Sequence, residues 1–160
     1  MEFASPEVAS FWRFIASSLD RLVELAGALE AEGLHWSPPA RDANSVAVLV
    51  THTLGNAEEN VLETLAGEAV GRRREEEFVD RRLTAGELLQ RWQELRPRLA
   101  AALARLPAAE MDRPRAHPRR GRLTGREVLI VVARHAAEHL GQAELTRDLW
   151  LSAGTWRAGS

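Results

Sequence analysis

The 160-residue chain contains no cysteine, no tyrosine and no lysine, so each of its 21 Lys+Arg positions is arginine. Each absence removes a chemistry. Without cysteine there is no disulfide framework, no thiolate nucleophile and no cysteine zinc cluster. Without lysine there is no Schiff base and no phosphate-loop lysine. Without tyrosine there is no phenolic acid. An enzyme built from this chain must work with His, Asp, Glu, Ser, Thr or Arg, with or without a metal. Codon usage in a GC-rich genome is the simplest source of the missing lysine; a thermophile's preference for arginine is a weaker one. No apolar run approaches the ~18 residues of a membrane span. The start Met1-Glu2-Phe3-Ala4-Ser5 has neither the basic nor the apolar region of a signal peptide, which predicts a cytoplasmic protein. A net charge of −2 supplies no global field for nucleic acid.

What remains is ordinary for one globular domain over residues 1–160: 45% hydrophobic and 28% charged. Four helices are predicted and no strand. The first runs from Pro6, capped by Ser5, to Glu32, with Gly33 as its stop. Val8, Phe11, Trp12, Ile15, Leu19, Leu22, Ala26 and Leu29 share one face. Pro38 and Pro39 keep the next segment, Leu34 to Pro39, out of helix. The second helix starts at Asn44 or Ser45 and fades at Gly67, followed by a charged connection from Gly71 to Phe78. Thr84-Ala85-Gly86-Glu87 has capping-box spacing and opens the third helix, whose stripe is Leu88, Trp92, Leu95, Leu99, Leu103 and Leu106. Pro97 inside that stripe predicts a kink or break. Pro107 to Gly121 reads as a long loop. A second capping box, Thr124-Gly125-Arg126-Glu127, opens a fourth helix to about Leu151. Four amphipathic helices predict an all-α four-helix bundle.

On a wheel of the fourth helix, Val128, Val131, Val132, His135, His139, Gln142, Thr146 and Leu149 fall within roughly 100°. Two histidines at i and i+4 lie one turn apart on one face, the spacing with which a helix supplies two ligands to one metal. The same spacing fits a hydrogen-bonded pair at a bundle edge. The letters from His135 to His139 also spell H-x-x-E-H. A peptidase reading is set aside, because 21 residues after His139 are too few for the rest of such a site and Glu138 lies about 60° off the His135 direction. A metal needs a third ligand. His35 and His117 are in loops. His52 is on the second helix, where Asn56, Glu59 and Glu63 share its face, opposite Val50, Leu54, Ala57, Val61 and Leu65. That face is either solvated or one wall of an open groove between the second and fourth helices.

The segment Asn44-Ser45-Val46-Ala47-Val48-Leu49-Val50-Thr51-His52-Thr53-Leu54-Gly55-Asn56 resembles the second-helix motif of the DinB-like (DinB/YfiT) superfamily. Val131 to Gln142, with His135-x-x-x-His139-x-Gly141-Gln142, resembles its fourth-helix motif. Gly67-Glu68, Arg72-Arg73-Arg74 and Glu77-Phe78 resemble one uncharacterised branch of it. The resemblance runs from the first helix to Leu151. It implies an up-down-down-up bundle, often a homodimer, and a divalent metal, zinc or nickel in relatives, on His52, His135 and His139. Some relatives are transferases or isomerases that use a low-molecular-weight thiol, and others are suspected hydrolases. Asn56 and Gln142, each one turn from a ligand, would orient a ligand or bind substrate. Glu59 would act as general base toward a metal-activated water, or be ordinary bundle polarity.

Arg72, Arg73 and Arg74 precede Glu75, Glu76 and Glu77, which reads as mutual solvation. The arginines from Arg113 to Arg126 have fewer acidic neighbours; they suit an anionic substrate, a thiol cofactor or a nucleic-acid backbone, or simply face solvent. No aromatic residue lies in that loop and no reading helix is apparent, which argues against nucleic acid. Trp12 and Trp92 fit core stripes, and Trp36 and Trp150 fit a pocket wall or a dimer contact. Two function classes stand: a metalloenzyme acting on a small molecule with water or a soluble thiol as nucleophile, and a non-catalytic metal-binding or stress-response module.

Overall fold

Ser5 accepts a hydrogen bond from the Val8 backbone N–H at 3.4 Å and starts α1, Pro6–Gly27. The computed structural model describes residues 2–79 and 82–158, with side chains through Ala153. Helix α1 stops earlier than predicted, at Gly27, where the Ala28 N–H is shared between the Glu24 and Leu25 carbonyls. A separate short helix, α2, Ala31–His35, takes up the rest. Gly33, expected as a stop, lies inside α2 instead. It is buried, and a side chain there would collide with the Trp150 indole. Trp36 packs on the same indole, with ring centroids 5.8 Å apart.

Helix α3, Val46–Glu58, is capped by Ser45 and continues as a π-helical segment, Glu59–Leu65. The charged connection contains a 3-10 turn, Arg74–Phe78. Helix α4, Ala85–Ala104, opens on the expected capping box: Thr84 Oγ1 accepts from the Glu87 N–H, and the Glu87 carboxylate accepts from the Thr84 N–H. It runs unbroken through Pro97. Pro97 and Gln93 are both exposed, so the carbonyl that loses its partner is on the water side.

The expected loop from Pro107 to Gly121 is not structureless. After a 3-10 turn, Ala108–Met111, it forms a hairpin of β1, Pro114–His117, and β2, Gly121–Thr124. Pairing is antiparallel, with Pro114 opposite Thr124 and His117 opposite Gly121. The prolines do not oppose this. Pro114 opens its strand, where no ladder N–H is required, and Pro118 is in the turn. Gly121, at φ 73°, supplies the left-handed residue that closes a short hairpin loop. Helix α5, Gly125–Ala158, follows from the Thr124 capping box.

Contacts between the elements give the helix directions. Glu7 meets Arg126 and Arg21 meets Glu144, so α1 and α5 run parallel. Thr51 meets Arg91 and Glu58 meets Arg98, so α3 and α4 run parallel. Ala4 bonds Ala104, and the hairpin before α5 reaches Thr64 at the end of α3, so the remaining neighbours are antiparallel. The bundle is therefore up-down-down-up, with one apolar core that includes Ile15, Leu19, Leu54, Leu62, Leu88, Leu99 and Leu129. Among the described residues no helix is long and apolar enough to cross a membrane.

Candidate metal centre

Helix α5 buries Leu129, Val132, Ala136, Leu140 and Ala143. Its inward face is thus rotated from the predicted stripe, because small Ala136 and Ala143 admit close helix packing. His135 and His139 lie at the border of that face, half-buried, while Gln142 and Leu149 are exposed. The border position opens them to a cavity of about 530 Å³, lined also by His52, Asn56, Glu59, Phe78 and His117.

His52 comes from α3 and is buried. The Nε2 of His135 is 3.1 Å from that of His52 and 3.2 Å from that of His139. One nitrogen from each of the three imidazoles falls within 4.8 Å of the other two. Nitrogens about 2.0–2.1 Å from one zinc ion are roughly 2.9 Å apart at right angles and roughly 3.4 Å apart at the tetrahedral angle. The observed separations fall between those limits.

The outer nitrogens decide which way the lone pairs point. The His52 Nδ1–H donates to Glu77 Oε2 at 2.8 Å. The His139 Nδ1–H donates to Gln142 Oε1 at 2.7 Å. With their protons on Nδ1, both rings turn an unprotonated Nε2 toward the common point. The His135 Nδ1 is buried with no hydrogen-bond partner. Burial, then the charges of His139, His52, Arg72 and Arg120, push His135 down to about 2. His139 is also lowered, mainly by burial and against the Gln142 hydrogen bond. A close group of three imidazole nitrogens, with His135 and His139 held toward the neutral form, is a donor set that suits a divalent ion.

Glu77 is held in turn by Arg72, whose Nε and Nη2 donate to its two oxygens at 2.6 and 2.7 Å. Arg72 Nη1 donates to Glu59 Oε2 at 3.1 Å, and Arg119 reaches the other Glu59 oxygen. Glu59 is only 3% exposed. Burial alone would raise the Glu77 carboxyl; hydrogen bonds from His52 and Arg72 outweigh it and hold the group below the usual carboxylate range. Gly55 makes room for this pair, since a Cβ there would run into the Glu77 carboxylate and stand 3.1 Å from Arg72 Nε.

Gln142 sits against His139, and Asn56 is buried on the cavity wall. Glu138 faces outward beside Arg134. His117 lines the cavity but is committed elsewhere: its Nε2 bonds Asn60 at 3.1 Å and its Nδ1 accepts the Arg119 backbone N–H. His35 Nε2 is 3.0 Å from the Leu83 carbonyl, beside a second cavity of about 310 Å³ that the three histidines do not line. Mutual solvation of the Arg/Glu run holds for Arg73 and Glu76, which pair in the open at 3.1 Å. It fails for Arg72 and Glu77, which are buried against His52. Their signal was the wider pattern around Arg72 and Glu77-Phe78; local charge alternation pointed the other way.

A bundle that presents three inward histidines across two antiparallel helices, two of them oriented by outer hydrogen bonds, defines a class of helical proteins with a candidate metal centre. The chain belongs to the DinB superfamily, whose family model matches residues 15–143. No curated protein matches it. Among solved structures, a conserved protein from Enterococcus faecalis shares the fold at a TM-score of 0.70 and 16% identity, covering 95% of this chain and 99% of that one. The colibactin self-resistance protein ClbS, solved in complex with a double-stranded DNA, is similar at a TM-score of 0.63 and 16% identity, covering 88% and 95%.

Proposed function

We propose that this chain is a divalent-metal-dependent enzyme, a hydrolase or thiol-dependent transferase, acting on a small molecule at His52, His135 and His139. The observation that carries the reading is the convergence of three Nε2 atoms on one point beside a cavity of ligand size. A zinc or nickel ion held there would supply Lewis acidity and lower the pKa of a water or thiol. The chain has no thiol of its own, so a thiol nucleophile would be a soluble cofactor.

The residues divide the remaining work. Glu77 and Gln142 fix the His52 and His139 rings. Arg72 anchors Glu77. Asn56 offers an amide to substrate from the cavity wall. Glu59 is the proposed base; Arg119, on the exposed hairpin turn, has to leave one Glu59 oxygen before that oxygen takes a proton.

Metal analysis of purified protein tests the site. One divalent ion per chain is expected, lost in His135→Ala; a metal-free wild type or unchanged occupancy in the variant would sink it. Screening zinc- and nickel-loaded protein against ester, amide and thiol-transfer substrates tests the chemistry. Metal binding without any turnover would favour a non-catalytic binding module. The DNA in the ClbS structure puts a duplex among the partners to screen, with salt-dependent retention as the readout. A homodimer is part of the proposal: Phe14, Ile130 and Leu145 are exposed apolar residues on α1 and α5.

A further inference from the structure

The cavity over the three histidines is basic in a chain whose net charge is −2. Four arginines line it, Arg72, Arg74, Arg119 and Arg120, against one lining carboxylate, Glu59. Three of the four are engaged. Arg72 is wedged between Glu59 and Glu77, Arg74 lies over the Phe78 ring at 4.9 Å, and Arg119 holds Glu59. Arg120 makes no ion pair among the described residues.

An excess of guanidinium in a concave, partly dry site makes a positive potential that an anion would relieve. A divalent ion would add charge of the same sign. The two outermost arginines are neighbours on the hairpin turn. The turn backbone is pinned by the Arg119 N–H on His117 Nδ1 and by left-handed Gly121, so the side chains project from a fixed base. Arg119 spends one terminal nitrogen on Glu59 and keeps its other donors. Guanidinium forks match carboxylate and phosphate oxygens in pairs.

We propose that the cavity takes a small substrate bearing a carboxylate or phosphate, held by Arg120 with Arg119 at the hairpin turn while its reacting end faces the three histidines. This deepens the metal-site reading and rests on it for the reacting end alone.

The test is calorimetric titration of inorganic phosphate and of succinate into the full chain, metal-free and zinc-loaded. Wild type should bind at least one probe, and the tighter of the two names the anion class. Arg120→Gln should weaken that binding about tenfold or more, and Arg120→Lys less. Arg122→Gln should leave it unchanged, because Arg122 is exposed on β2 and does not line the cavity. Binding equal to wild type in Arg120→Gln overturns the proposal, as does the failure of wild type to bind either probe at millimolar concentration in either state. A DNA duplex that binds through Arg120 where neither small anion does overturns it as well. Arg120 is exposed, so its variants should keep the wild-type circular dichroism. Because the anion is also read without metal, a chain that binds phosphate but no zinc would defeat the metal reading and leave this one standing.

Discussion

Glu77 and His52 are 25 residues apart in the chain and meet at 2.8 Å, carboxylate oxygen to ring Nδ1, in a buried contact. Glu77 thereby sets the tautomer of a proposed metal ligand, and Arg72 sets Glu77. Glu77→Gln keeps the shape but removes the charge. Metal affinity should fall about 10- to 100-fold, the usual cost of losing an outer partner of a ligating histidine. Competition with a chromophoric chelator measures it. Glu77→Ala should in addition destabilise the fold by about 1–3 kcal/mol, since it leaves buried donors of Arg72 without their acceptor while Glu59 remains as its carboxylate partner.

Gly55→Ala separates helix propensity from site geometry. Alanine favours an exposed helix over glycine by about 0.8–1.0 kcal/mol. Here the new methyl meets the Glu77 carboxylate. The variant should remain helical by circular dichroism yet bind metal more weakly than wild type. Undiminished affinity would show that Glu77 does not need its seat.

Acid should destabilise the metal-free protein in two stages. His135 and His139 have lowered folded-state values, so between about pH 6.5 and the folded value the unfolded chain binds more protons. Stability therefore falls as pH drops below 6.5. Glu77, also lowered, contributes stability above its unfolded value near 4.5 that is lost as pH falls further. Urea midpoints should hold level from pH 8 to about pH 7 and decline from there to pH 4, and His135→Gln should flatten the limb between 7 and 5.

Pro97→Ala should raise stability by about 1–3 kcal/mol, since it restores a helical hydrogen bond in the middle of α4. The restriction proline places on the unfolded chain offsets part of that gain. Thermal unfolding reads the change, and metal content should be unaffected because Pro97 does not line the site.

Much of the architecture is written locally. The Thr84 and Thr124 capping boxes, the Ser5 and Ser45 caps and the i, i+4 pair on α5 could be read from a few adjacent residues. The choice of His52 over His35 and His117 needed the longer motif around it, because its own helix face read equally well as solvated. What escaped depends on contacts across the fold. Arg72 looks like its neighbours Arg73 and Arg74 until α3 is packed against it. The hairpin strands are four residues each, too short to show alternation, and their prolines disguised them. Ala136 and Ala143 carry little hydrophobic weight on a wheel, although both are buried.

The π-helical segment of α3 has a further consequence. There Ala66 N–H reaches back to Val61, one residue beyond helical reach. The extra residue delays the helix, so the residues up to Glu58 and those from Val61 onward are out of phase. The first part aims His52 and Asn56 at the cavity; the second aims Val61, Leu62 and Leu65 at the core. Between them, Glu59 and Asn60 are buried with polar partners. Removing one residue from Glu59–Leu65 would bring the two halves into step and force a choice between the site and the core.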